Sequence, residues 1–378
     1  MVVLGSPPLN SSGDPIGGDY IAFYAAGRVV LNGDGAHLYD HATVSSLQQA
    51  ALDGRIPEFY DAFRNPPFFA LPFVPLALLP LLPSFGLWAV LNFACLAAAL
   101  WLLLDVVPEL KPRWRGLAAV VFAFGPVYFG IIDGENATLS LLLYVLIYCS
   151  LLRGQDRAAG VWAAIGLFKP QLFVVFPLIF VATRRWRALA WYVGTAVVLG
   201  IVSLAVVGFD GMIGWLRILV DMETGNATRN AWRMHSLKSF FDLLAPGQPL
   251  ASMLIFAAVA AGLLAVLYRA WRWSSDLPLL WALSSATGVL VDPHLVDYDL
   301  TVLVPAGVLM ALHVPATRWL IVLLSIVVVV RAQVPVGDAY IQTSVVLLLA
   351  LAGMLWRRLR RPALGDRRLA REGQLLLA

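Results

Sequence analysis

A few polar residues stand out against a mostly apolar chain, and their types suit acid–base and phosphate chemistry. Asp19, in Gly17-Gly18-Asp19-Tyr20, heads a run to Leu31 with Tyr20, Phe23, Tyr24 and Gly27 at helical spacing, stopped by Asn32-Gly33. Its carboxylate fits two jobs. It can cap a helix by accepting from first-turn amides, or take a proton from a hydroxyl as a general base. Lys169, in Lys169-Pro170-Gln171, is a cation between two apolar pieces. A cation within a span costs about 2.5–3.5 kcal/mol, so Lys169 calls for an anionic partner or a route to water. A phosphate held by Lys169, with Gln171 donating beside it, is favoured over snorkelling to the headgroups. Asp292-Pro293-His294, followed by Asp297 and Asp299, ends an apolar run, and His294 brings a side chain that exchanges protons near neutral pH. Asp133-Gly134-Glu135-Asn136 is a tight polar turn in which Asn136 can cap the next helix.

These residues sit in a chain of 378 residues that is 60% hydrophobic and only 13% charged, with a mean hydropathy of +0.79. Soluble domains are nearer a quarter charged, so the expected class is an all-α polytopic membrane protein. Cys95 and Cys149 fall in apolar runs, and no disulfide framework is expected. Met1 to Gly18 has neither a basic n-region nor an apolar h-region, so no cleavable signal peptide is expected. No spacing matches a metal motif, a phosphate-binding loop or a dinucleotide fingerprint. No metal, cofactor or nucleic-acid partner is therefore expected.

The elements that must position the polar residues follow from the apolar pattern. Residues 1–67 are polar and Gly-rich, and carry the Asp19 helix and a second amphipathic run from about His41 to Asp53. Phe68 to Leu82 is apolar but broken by Pro72, Pro75 and Pro80, which suits a re-entrant or surface hairpin. The first full span is Phe85 to Val107. Others are expected at about 116–132, 137–152, 188–208, 250–268, 277–292, 299–313, 316–331 and 342–356. Residues 158–183 read as two short helices meeting at a polar apex at Lys169. If every span is counted, most of the basic residues collect on one face, including Arg113, Arg153, Arg185, Arg272, Arg318 and the Arg357 cluster. By the positive-inside rule that face is cytoplasmic. Asp19, Asn65, the Glu135 turn, Lys169, the 209–249 loop and His294 to Asp299 then share the opposite face. The reading is one domain: an extracytoplasmic loop over 1–67, a helix bundle over 68–357, and a basic cytoplasmic tail over 358–378.

The ordered landmarks resemble the GT-C superfamily of polyprenyl-phosphate-dependent glycosyltransferases. They are most similar to the α-mannosyltransferases that act on phosphatidylinositol mannosides (PimE-like). The matching residues are Gly18-Asp19-Tyr20 with Tyr24 and Gly27, Leu38-Tyr39-Asp40, Asn65-Pro66-Pro67-Phe68 and Trp88 with Asn92. Gly134-Glu135-Asn136, Lys169-Pro170-Gln171 and Pro293-His294 with Tyr298-Asp299 complete the set. The resemblance implies a further membrane helix ahead of the Asp19 loop, and glutamine is commoner in the family where Glu135 stands. It implies a GT-C fold of about 10–12 membrane helices in a bacterial cytoplasmic membrane, with the site outside the cytoplasm.

The implied reaction moves mannose from a polyprenyl-phosphate donor to a glycolipid or glycan hydroxyl, inverting the anomeric carbon. Asp19 would be the base, His294 would orient it or share its proton, and Lys169 would steady the leaving phosphate. Asn65, Tyr24, Gln171, Glu135, Asn136 and Asp299 would contact substrate. A polyprenyl-phosphate-arabinose donor is the alternative within the class. A transporter or flippase is the alternative outside it, disfavoured because no internal repeat is visible.

Overall fold

The computed structural model of the protein describes residues 5–221 and 231–360. The expected tail beyond residue 360 and the middle of the 209–249 loop lie outside the described residues. The described chain is 76% helical. Its one sheet among those residues is a small antiparallel pair, Gln333–Val336 with Ala339–Gln342. The expected all-α membrane class holds.

Helix α1 (Tyr20–Leu31) is buried from Tyr20 through Gly27, on nearly every face rather than one. The cause is its central position: Phe23 stacks on Phe73 with ring centroids 4.9 Å apart, and Tyr20 packs against Trp88. At Gly27 the segment Pro67–Phe73 comes so close that an added Cβ would lie 2.5 Å from the Phe73 carbonyl oxygen. Helix α2 (His41–Ala51) begins at Asp40, whose carboxylate accepts from the Thr43 amide at 2.8 Å. The Pro-rich segment that follows forms 3-10 turns, Pro67–Phe73 and Leu76–Leu78, as its prolines dictate.

Helix α3 (Leu81–Val106) has 26 residues, about 39 Å of helix, enough to cross a bilayer core. The span expected at 116–132 is instead two helices, α4 (Trp114–Ala123) and α5 (Gly125–Ile132), bent by 64°. Phe124 is extended between them, since the Gly125-Pro126 start of α5 cannot continue the α4 ladder. Helix α6 (Ala137–Leu152) leads to the split pair. That pair is α7 (Asp156–Ile165), a turn at Gly166–Phe168, then α8 (Pro170–Phe173) and α9 (Val175–Ala182). Lys169 stands at the break, as its Pro170 neighbour requires.

Helix α10 (Trp186–Asp221) is two helices joined at Gly208, whose φ of 68° and ψ of −173° only glycine adopts at ease. Helices Leu237–Leu244, Pro249–Trp273, Leu277–Val291, Val304–His313, Arg318–Val329 and Thr343–Leu359 complete the bundle. Among the described residues, three helices are long and apolar enough to cross alone, or four if the bent pair is one span, and further apolar helices have 10–17 residues. Proline, glycine and polar turns interrupt the other apolar runs. The interruptions are where the polar residues gather.

Candidate functional site

Two glycine turns bring the first two carboxyl groups together. Gly17 and Gly18 have φ of 91° and 46°, and Gly134 has φ of 69°. A Cβ on Gly134 would lie 2.5 Å from the Tyr20 Cβ and 2.9 Å from the Gly17 carbonyl oxygen, so only glycine fits there. The Tyr20 amide donates to the Asp133 carbonyl at 3.2 Å, and Trp88 Nε1 donates to the Gly134 carbonyl at 2.7 Å. Asp19 makes no side-chain bond to its own helix. Its carboxyl is hydrogen-bonded to that of Glu135. The capping role is thus replaced by a carboxyl pair.

Lys169 lies at the break of the split pair and is 8% exposed. Its Nζ donates to Asp299 Oδ1 at 2.6 Å and to Glu135 Oε2 at 3.4 Å, and it stands 5.1 Å over the Tyr298 ring. The anionic partners that a buried cation demands are therefore internal. Tyr298 lies beside Glu135 as well, so Glu135 is neighbour to Asp19, Lys169 and Tyr298. The turn Asp297–Leu303 delivers Tyr298 and Asp299 to this cluster and sends Asp297 elsewhere, 2.6 Å from Arg331.

These groups open on a cavity of about 260 Å³. Asp19, Asn65, Glu135, Lys169, Gln171, His294 and Asp299 all line it. Asn65 Nδ2 donates to the Phe168 carbonyl at 2.9 Å, tying the end of the N-terminal loop to the Lys169 turn. Two expected contacts are elsewhere. Tyr24 donates its hydroxyl to the Leu79 carbonyl at 3.0 Å, turned from the cavity by the packing around α1. Asn136 is fully buried behind Glu135, and its side-chain atoms have no hydrogen-bond partner among the described residues.

Sequence reasoning missed Asp61, Arg64, Arg233 and Trp215, which also line the cavity. Arg64 lies 3.6 Å from Asp61. Trp215, beyond the Gly208 break, donates to the Arg64 carbonyl at 3.2 Å. The Nε of Arg233 has no partner among the described residues. The only sequence signal was weak: Asp61 and Arg64 stand three apart just before Asn65-Pro66-Pro67.

Burial, and then the crowding of charged groups, sets the electrostatics. Burial, then the neighbouring Asp61, Glu135 and Asp133, hold Asp19 well above the usual carboxylate range. Burial likewise pushes Asp61 and Asp133 up to about 6, against the opposing pull of Arg64 and Arg233 respectively. His294 goes the other way. Burial, then Arg64 and Lys169, lower it to about 4, so its imidazole is neutral at neutral pH. Its charged neighbours are Arg64, Lys169 and Glu135, and the group bonded to Asp19 is Glu135. His294 lines the cavity with Asp19, as expected, while Glu135 stands next to Asp19. No group of three or more His, Cys, Asp or Glu placed to hold a metal ion occurs among the described residues.

The arrangement can deprotonate a hydroxyl at Asp19 while basic side chains in the same wall face an anion. No curated protein and no solved structure matches the chain significantly. Residues 63–296, well over half the chain, match the sequence profile of glycosyltransferase family 87. That stretch carries Glu135, Lys169 and His294. The chain belongs to glycosyltransferase family 87, a GT-C-type family, and is a multi-pass membrane glycosyltransferase.

Proposed function

We propose that the protein transfers mannose from polyprenyl-phosphate-mannose to a hydroxyl of a glycolipid or glycan, on the extracytoplasmic face of a bacterial cytoplasmic membrane. The observation that carries this reading is Asp19: a carboxyl free of its helix, paired with Glu135, in a cavity also walled by Arg64, Lys169 and Arg233. The acceptor oxygen attacks the anomeric carbon, the bond from that carbon to the phosphate oxygen breaks, and Asp19 takes the hydroxyl proton. Glu135 accepts a hydrogen bond from the newly protonated Asp19. The departing polyprenyl phosphate carries the negative charge away, steadied by the basic wall. Lys169, already engaged by Asp299 and Glu135, acts through the field at the cavity floor, while Arg64 and Arg233 reach the phosphate. Gln171 and neutral His294 supply polar contacts to the sugar. The prenyl chain follows the Pro-broken segment from Pro66, a cavity residue, to the exposed Leu71, Leu78 and Leu79. The expected collection of most basic residues on the opposite face supports the extracytoplasmic placement.

Incubation of purified protein with radiolabelled polyprenyl-phosphate-mannose and a lipid extract tests the reading, with a mannosylated lipid as the expected product. Transfer from polyprenyl-phosphate-arabinose and not from the mannose donor would overturn the sugar assignment. Arg64→Gln and Arg233→Gln should each raise the donor KM about tenfold, since a charge-assisted contact contributes about 1.5–3 kcal/mol. Unchanged donor KM in both would remove them from the phosphate site.

The pH profile is a second check. Asp19 acts only when ionised, and its pKa lies above the usual carboxylate range, so the acid limb of kcat/KM should lie above that range too. Asp133 is one of the charges that raise it. Asp133→Asn should therefore move the acid limb to lower pH. An upward or absent shift would show that the limb belongs to another group.

A further inference from the structure

A second cavity, of about 480 Å³, lies apart from the catalytic one, between α4, Val304–His313 and Arg318–Val329. Its walls are apolar, with Leu117, Val121, Phe124, Met310 and Leu324 among them, yet two arginines, Arg113 and Arg318, line it as well. Both arginines are exposed, and each stands at the start of a helix that flanks the cavity. Each is followed by an exposed tryptophan, Trp114 at 52% and Trp319 at 62%. Tryptophan favours the headgroup level of a bilayer, so the two Arg-Trp pairs mark that depth on either side of one apolar groove. The Arg113 side chain has no hydrogen-bond or ion-pair partner among the described residues, and Arg318 uses only Nε, on the Ala311 carbonyl at 2.8 Å. Both are among the basic residues that the count of spans along the sequence places on one face.

We infer that this groove is a binding site for an anionic glycerophospholipid of the leaflet on the basic face, its acyl chain between the helices and its phosphate on Arg113 and Arg318. An uncharged apolar ligand would leave two unneutralised guanidinium groups at the groove mouth, whereas an anionic headgroup meets both. The inner wall includes Leu303, the last residue of the Asp297–Leu303 turn that delivers Tyr298 and Asp299 to the first cavity. A lipid seated there would therefore brace that turn from behind.

The experiment compares phosphatidylglycerol with phosphatidylcholine, added to delipidated full-length protein, by native mass spectrometry and melting temperature. Phosphatidylglycerol should bind and raise the melting temperature, and phosphatidylcholine should do so far less. Arg113→Gln combined with Arg318→Gln should weaken phosphatidylglycerol binding roughly 30-fold, from the usual contribution of two basic side chains at a membrane surface. Gly116→Leu gives an arm independent of charge. Gly116 lines the groove and a Cβ there meets nothing within 4 Å, so a larger side chain starts in open space and should exclude the lipid, with folding checked by monodispersity. Equal binding of both lipids, or full phosphatidylglycerol binding by folded Gly116→Leu protein, would overturn the inference.

Discussion

Asp19→Asn should fold normally and transfer sugar on the order of 10²–10⁴-fold more slowly, the usual contribution of a general base. The substitution keeps the shape of the side chain. It removes no helix cap, because Asp19 makes none, and an amide can still donate to Glu135. What it removes is basicity. Relief of charge crowding among Asp19, Asp61, Glu135 and Asp133 should leave the melting temperature unchanged or slightly raised. Monodispersity and melting temperature establish folding, and initial rates measure the loss of transfer. A folded Asp19→Asn protein with more than about a tenth of wild-type activity would rule out the base assignment.

Lys169→Ala carries the second large effect, on stability. It strands Asp299 and Glu135, 5% and 6% exposed, without the cation that both face. Breaking a buried ion pair from one side costs about 3–5 kcal/mol, so the melting temperature should fall by on the order of 5–10 °C. Adding Asp299→Asn to Lys169→Ala should restore part of the loss, because it removes one of the stranded charges. Lys169→Arg should sit between wild type and Lys169→Ala. Lys169→Ala protein that melts within about 1 °C of wild type would show that the two carboxyl groups do not depend on the ammonium.

Much of this was legible from the chain alone, for a physical reason. Charged and polar residues are so costly among apolar helices that Asp19, Glu135, Lys169, His294 and Asp299, which line one cavity, could be read one by one. Their partnerships were not legible. Lys169 and Asp299 are 130 residues apart, and nothing local in either sequence names the other. Asp61, Arg64 and Arg233 lie in polar stretches where a charge has no cost, so they carried no signal. The orientation of Tyr24 was not legible, because helical spacing implies one buried face whereas α1 is enclosed on nearly all sides. The bend at Phe124 was written in Gly125-Pro126, but uniform hydropathy across 116–132 masked it.

The interlocked glycine turns set what this scaffold can change. The spacing of Asp19 and Glu135 is fixed by main-chain contacts among Gly17, Gly18, Asp133 and Gly134, none of which depends on the far wall of the cavity. That wall, with Trp215 beyond the Gly208 break and Arg233, comes from a separate stretch of chain. Selection can therefore redraw that far wall by altering Trp215, Arg233 and their described neighbours while Asp19 stays in place. One chemical step can in this way serve a lineage of enzymes with diverging products, and substitutions that change product should concentrate in that stretch and spare the four turn residues.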